Sequence, residues 1–110
     1  MFEVKAIVRL DRQEEVIRTL HEIPDLPGVT VSVVEGIGRR HGPNDAEPGA
    51  YGRVRMGKIE IVVDEGRLPP VLDAIRRGAH TGRAGDGKVF VVRVEQVLRL
   101  RTGEADEAAL

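Results

Sequence analysis

No cysteine occurs in this chain, which excludes disulfides, thiolate metal centres and cysteine nucleophiles. Tryptophan is absent too, and Phe2, Tyr51 and Phe90 are the only aromatic residues. A sheet that reads RNA by stacking bases on aromatic rings needs more than these supply, which argues against an RRM-type module. Charge imbalance is also lacking: 17 basic against 18 acidic side chains leave a formal net charge of -1. That offers no general attraction to nucleic acid or to an anionic membrane surface. Lysine is scarce, with Lys5, Lys58 and Lys88 alone, so cationic chemistry falls to arginine, whose planar fork suits phosphate and carboxylate. No apolar run approaches the roughly 20 residues of a membrane-spanning helix, and Met1-Phe2-Glu3 does not open a signal peptide. The expectation is a cytoplasmic protein with no membrane insertion and no nucleic-acid partner.

What is present is an ordinary globular composition, 41% hydrophobic and 32% charged over 110 residues. That is one domain, with a core small enough for association to help its stability. Phe2, Val4, Ala6 and Val8 alternate with Glu3, Lys5, Ile7 and Arg9, the period of a strand. Asp11 is placed to cap a helix whose apolar stripe is Val16, Ile17, Leu20 and Ile23, with Glu14 and Arg18 paired on its outer face. Pro24-Asp25-Leu26-Pro27-Gly28 ends that helix, and the β-branched run Val29 to Val34 predicts a second strand closing at Gly36-Ile37-Gly38. Arg39 to Met56 shows no apolar periodicity; a loop of that length in so small a domain is functional or disordered. Lys58 to Val63 is a third strand.

Pro69 and Pro70 fit the first turn of a second helix, with Leu68, Val71, Leu72 and Ile75 as its stripe. Arg76 and Arg77 suit its C-terminal dipole and Gly78 its stop. Val89 to Val94 is the last strand. Strand-helix-strand twice over, joined by a long loop, predicts an α+β, ferredoxin-like double βαβ with both helices on one face of an antiparallel sheet. Ile7, Val34, Val62 and Val92 (or Phe90, depending on register) leave the other face apolar as well. Its expected cover is another copy of the chain.

The chemistry concentrates in Thr81-Gly82-Arg83-Ala84-Gly85-Asp86-Gly87-Lys88. Gly82 to Lys88 spells the G-x-x-x-x-G-K of a Walker A loop, but Val89 stands where a hydroxyl should hold Mg²⁺. The order is also reversed, since this loop leaves a helix and enters a strand. It is either a flexible turn or a phosphate cradle, and Asp86 and Lys88 set between glycines favour the cradle. Arg99 and Arg101, two apart on an extended segment, either converge on one anion or stand solvated. His41, Asp45 and Glu47 match no ligand spacing, so no metal is assigned. His21 answers the dipole of the first helix, and His80 lines or caps the cleft beside the glycine loop. No nucleophile–base pair stands out, so no catalytic residue is assigned. A small phosphotransferase or nucleotide hydrolase is the alternative.

The glycine stretch, running on into Val89-Phe90-Val91 and followed by Arg99-x-Arg101-Thr102-Gly103-Glu104, resembles the nucleotide loop and C-terminal signature of PII signal-transduction proteins. The likeness extends through Ala6-Ile7-Val8, Gly28 to Val31, Gly36 to Arg39 and Lys58 to Val63, nearly the whole chain. It implies a single PII-like domain over 1–110, assembled as a homotrimer, with a T-loop at 38–57, a B-loop at 81–88 and a C-loop at 97–110. It implies a regulator that binds ATP or ADP, with AMP and cyclic AMP as further candidates, in clefts between subunits. The long loop would control a transporter, enzyme or transcription regulator. By position, Gly85, Gly87 and Lys88 would hold phosphate oxygens, with Thr81, Gly82, Arg83 and Asp86 completing that loop. Arg99 and Arg101 would reach the phosphates from the neighbouring subunit. Ile7, Thr30, Gly36, Glu60 and Val62 would form the adenine side, with Ile37, Gly38 and Arg40 where the long loop begins. Mg²⁺ is compatible but not required.

Two positions depart from the family pattern. Arg40 stands where other members place a Gln that helps ligate Mg²⁺ and 2-oxoglutarate, and Met56 where they place a Lys that grips the oxo-acid. The loop is also shorter than usual, and Tyr51 is out of register with the family's modified tyrosine. The resemblance therefore implies a paralogue with altered effector logic, without the usual ligands for 2-oxoglutarate.

Overall fold

The computed structural model describes residues 1–39 and 51–110, with Arg39 and Tyr51 described by their backbone alone. Arg40, His41, Asp45 and Glu47 lie outside the described residues. Strand β1 (Phe2–Arg9) leads through a 3-10 turn, Leu10–Arg12, into helix α1 (Gln13–Leu20). Strands β2 (Thr30–Arg39) and β3 (Tyr51–Val63), helix α2 (Leu68–Ala79) and strand β4 (Gly87–Arg93) follow. The sheet order is β2-β3-β1-β4 and every pairing is antiparallel. This is the expected ferredoxin-like α+β arrangement.

The period-two alternation of β1 sends Val4, Ala6 and Val8 inward. They meet Ile59, Ile61 and Val63 of β3, with Val16 and Leu20 of α1 and Val71, Ala74 and Ile75 of α2, in one core on one face of the sheet. Two polar residues are buried in it. Gln13 Nε2 donates to the carbonyls of Ser32 (3.0 Å) and Lys58 (3.2 Å), tying α1 to β2 and β3. Thr19 Oγ1 donates to the carbonyl of Ala74 at 2.7 Å, bridging the two helices.

Several expected details differ. Asp11 caps nothing: the residue before α1 is Arg12, and no side chain caps it. The Arg12 guanidinium instead donates to the Gly78 carbonyl at 2.9 Å. Arg18 pairs with Glu15 and Glu22 rather than with Glu14, as i,i+3 and i,i+4 geometry also allows. Gly78 does not stop α2, which runs on to Ala79 and is closed by the His80 N–H on the Arg76 carbonyl. Gly78 is there for packing: a Cβ would lie 2.8 Å from Val16 Cα, so the helices approach closer than any side chain permits.

The largest difference is in the stretch expected as loop over 38–57. Val34↔Met56, Glu35↔Arg55, Gly36↔Val54, Ile37↔Arg53, Gly38↔Gly52 and Arg39↔Tyr51 are all paired. The second strand thus runs past Val34 to Arg39, and the third begins at Tyr51 rather than Lys58. Beyond Arg9↔Met56, β1 supplies no further partner, so this end of β2–β3 is a two-stranded ribbon. Solvent reaches Ile37 (61%) and Val54 (59%) on it. The register also decides the open sheet face: Ile7 opposes Lys88, and Phe90 and Val92 oppose Lys5 and Glu3, so both fall on that face. Phe90 is 50% and Val92 54% exposed.

Candidate functional site

The glycine loop joins the end of α2 to β4. Gly82, Gly85 and Gly87 have φ of 84°, 94° and 105°, which only glycine adopts without strain. At Gly87 the demand is doubled, because a Cβ would sit 1.8 Å from the Ile7 carbonyl oxygen. Asp86 clasps the loop. Its Oδ2 accepts the N–H groups of Thr81 (2.8 Å) and Gly82 (2.9 Å). Its Oδ1 accepts the Thr81 hydroxyl and the Arg9 Nε–H (2.9 Å). The Thr81 hydroxyl oxygen in turn accepts the Arg83 N–H at 3.2 Å. The Thr81 hydroxyl, then Arg9, then the two backbone N–H groups hold the Asp86 carboxyl well below the usual carboxylate range.

A depressed folded pKa means that ionised Asp86 contributes its full stability above the unfolded value, 3.8, and loses it as pH falls below that. The difference in melting temperature between the protein and Asp86→Asn is therefore expected to be constant above about pH 5 and to shrink below about pH 4. A difference that grew on acidification would reject the clasp.

On one side of the loop lies a cleft of about 700 Å³. Ala84, Gly85, Gly87 and Lys88 form one wall, and Gly36, Ile37 and Gly38 of β2 with Gly52 to Val54 and Met56 of β3 form the other. Ile7 and Phe90 complete it from the open sheet face. The fold therefore brings Ile7, Gly36, Ile37, Gly38, Gly85, Gly87 and Lys88 together. Sequence reasoning missed Phe90 and Val54 as lining residues; the signal for Phe90 was a lone aromatic two residues beyond Lys88. Thr81, Gly82 and Asp86 bond to one another, to Arg9 and to the Arg83 N–H, and none of the three lines this cleft. Asp86 and His80 line a separate pocket on the helix side, with Leu72, Ile75 and Arg76. His80 stands with Nδ1 3.9 Å from Asp86 Oδ2 and does not line the larger cleft.

Thr30, Glu60 and Val62 are elsewhere. They line a pocket of about 300 Å³ with Glu3, Gly28, Ala109 and Leu110. Thr30 and Gly36 are six residues apart on β2, roughly 20 Å in an extended strand. Arg99 belongs to that far end: Nη2 donates to the Ala109 carbonyl at 3.3 Å, and Nη1 lies 3.5 Å from Glu104. Arg101 stands exposed in the turn closed by the Gly103 N–H on the Arg99 carbonyl. Among the described residues no cluster of His, Asp and Glu could hold a metal ion, and no helix is long and apolar enough to cross a membrane.

Fold and site define a ferredoxin-like α+β domain with a β-ribbon and a clasped glycine loop at one end of its sheet. The family model for "Nitrogen regulatory protein P-II" matches residues 1–104. The chain is 40% identical over 107 residues to the nitrogen regulatory protein P-II of Azospirillum brasilense, covering 94% of this chain and 95% of that one. It is 39% identical over 110 residues to the nitrogen regulatory protein GlnK of Escherichia coli K12, covering 97% of each. A crystal structure of Arabidopsis thaliana PII bound to citrate superposes with a TM-score of 0.81 at 40% identity, over 99% of this chain and 91% of that one. The chain belongs to the nitrogen regulatory protein P-II family. These relatives are regulators, and the chain is a regulatory protein rather than an enzyme.

Proposed function

We propose that this protein binds an adenine nucleotide, ATP or ADP, in clefts between copies of the chain and so controls a partner protein through its β-ribbon and residues 40–50. The observation that carries the reading is the clasped glycine loop with Lys88, forming one wall of a cleft completed by Ile7 and Phe90. Glycine-rich backbone and a lysine suit phosphate; aliphatic and aromatic residues suit a base. Placement between copies is supported by the separation of Thr30, Glu60, Val62 and Arg99 from the glycine loop within one chain. The pocket of Thr30, Glu60 and Val62 shares no residue with the glycine-loop cleft, and a second copy would bring the two together. The open face, with Ile7, Phe90, Val92, Val62 and Val34, supplies apolar surface for a homotrimer.

The test is calorimetric titration of ATP, ADP, AMP and cyclic AMP, with light scattering of the same sample. Micromolar binding of at least one nucleotide by a trimer is the expected outcome. A stable monomer at micromolar concentration, or no heat from any nucleotide, would refute it.

The cleft also bears on the second effector. Met56 lines it where a lysine would grip a dicarboxylate, and Val54 adds a further apolar contact. 2-Oxoglutarate is expected neither to bind nor to raise ATP affinity, and reciprocity of binding lets one titration read both effects. Several-fold tightening of ATP by saturating 2-oxoglutarate and Mg²⁺ would contradict this.

A further inference from the structure

Arg9 ends β1, and its side chain holds the glycine loop at two points. Nε–H donates to Asp86 Oδ1 at 2.9 Å and Nη2–H to the Ala84 carbonyl at 2.5 Å. One planar fork thus grips two acceptors that lie two residues apart in the loop. The contact is partly shielded, since the Arg9 and Asp86 side chains are each only 24% exposed. Neither Arg9 nor Asp86 lines the 700 Å³ cleft, whereas Ala84, Gly85, Gly87 and Lys88 do. Arg9 lines a neighbouring groove instead, with Leu10, Asp11 and the same Ala84 and Gly85.

The electrostatic consequence follows from the groups involved. A carboxylate and a carbonyl are what would repel an anion arriving at this loop. Arg9 engages both and neutralises Asp86 at a distance where opposite charges interact strongly. Two cations then line the cleft among the described residues, Lys88 and Arg53, and Arg53 is paired with Glu35 at 2.9 Å.

We propose that Arg9 is the positioning residue of the anion site. It occupies the Asp86 carboxylate and the Ala84 carbonyl, keeping the loop in its anion-accepting form without touching the ligand. The inference rests on reading the glycine loop as a phosphate cradle and concerns how that cradle is kept ready. Lysine cannot substitute, because a single ammonium lacks the fork that spans both acceptors.

The experiment compares the protein with Arg9→Ala, Arg9→Lys, Asp86→Asn and the Arg9→Ala/Asp86→Asn double variant. ATP affinity is read by calorimetry, and hydrogen exchange of the Gly82 to Gly87 amides is read without ATP. Each single variant is expected to bind ATP about tenfold more weakly. Loop exchange is expected to quicken several-fold in the Arg9 variants, with Arg9→Lys no better than Arg9→Ala. The double variant is expected to be no worse than the weaker single, because both substitutions break the same contact. A merely structural role would lower stability while leaving ATP affinity unchanged.

Additive losses, or wild-type exchange and affinity in Arg9→Ala, would overturn the proposal. Should the wild-type protein bind no ATP, the phosphate reading fails, while the exchange comparison still decides whether Arg9 sets the loop. Should Arg9→Ala fail to fold, Arg9→Lys carries the same two measurements.

Discussion

Gly87→Ala is expected to disrupt the end of the sheet that carries the glycine loop, costing about 3–5 kcal/mol of stability and abolishing nucleotide binding. Two penalties coincide there. The φ of 105° strains any residue with a Cβ, and that Cβ would stand 1.8 Å from the Ile7 carbonyl oxygen, far inside van der Waals contact. Relief requires β4 to leave β1 at Gly87↔Val8, which also moves Lys88 from its place opposite Ile7. Gly82→Ala separates the two effects. Its φ is 84°, but the nearest atoms to a Cβ are those of His80 at 3.8 Å, so only the backbone term remains, about 1 kcal/mol. Urea unfolding of the two variants measures both. Equal midpoints would show that the contact with Ile7 does not constrain the loop.

Lys88→Ala and Arg101→Ala are each expected to weaken ATP binding ten- to a hundredfold, from about 1.5–3 kcal/mol per charge-assisted phosphate contact. The two residues test different parts of the proposed site. Lys88 lies on the cleft wall beside the glycine loop. Arg101 is exposed in the C-terminal turn, and its neighbour Arg99 is held at the far end of the sheet by Ala109 and Glu104. Loss on Lys88→Ala alone would keep the phosphate site within one chain. Loss on both, with assembly intact, is the signature of a cleft shared between copies. Unchanged binding in both would reject the site.

Much of this was legible in the chain itself. Alternation in β1 and the stripe of α2 report burial on one face, and burial is what periodicity records. The two strand-helix-strand runs therefore led to the α+β class and to an antiparallel sheet with both helices on one face. The glycines of 82–87 and Lys88 were legible for a different reason: φ above zero demands glycine, and that demand is written residue by residue.

Only the tertiary structure decided the rest. The ribbon has no apolar rhythm because it is paired by its backbone while solvent reaches Glu35, Ile37, Arg53, Val54 and Arg55, so a pattern of burial could not reveal it. The role of Arg9 depends on a partner 77 residues away, a separation no local pattern encodes. The expected site residues share a sequence likeness but not a location. Antiparallel register puts Gly36 beside Val54 and Thr30 beside Glu60, six residues apart along the same two strands. That spacing is a property of the fold, because distance along strands, not residue type, determines which side chains one ligand can touch.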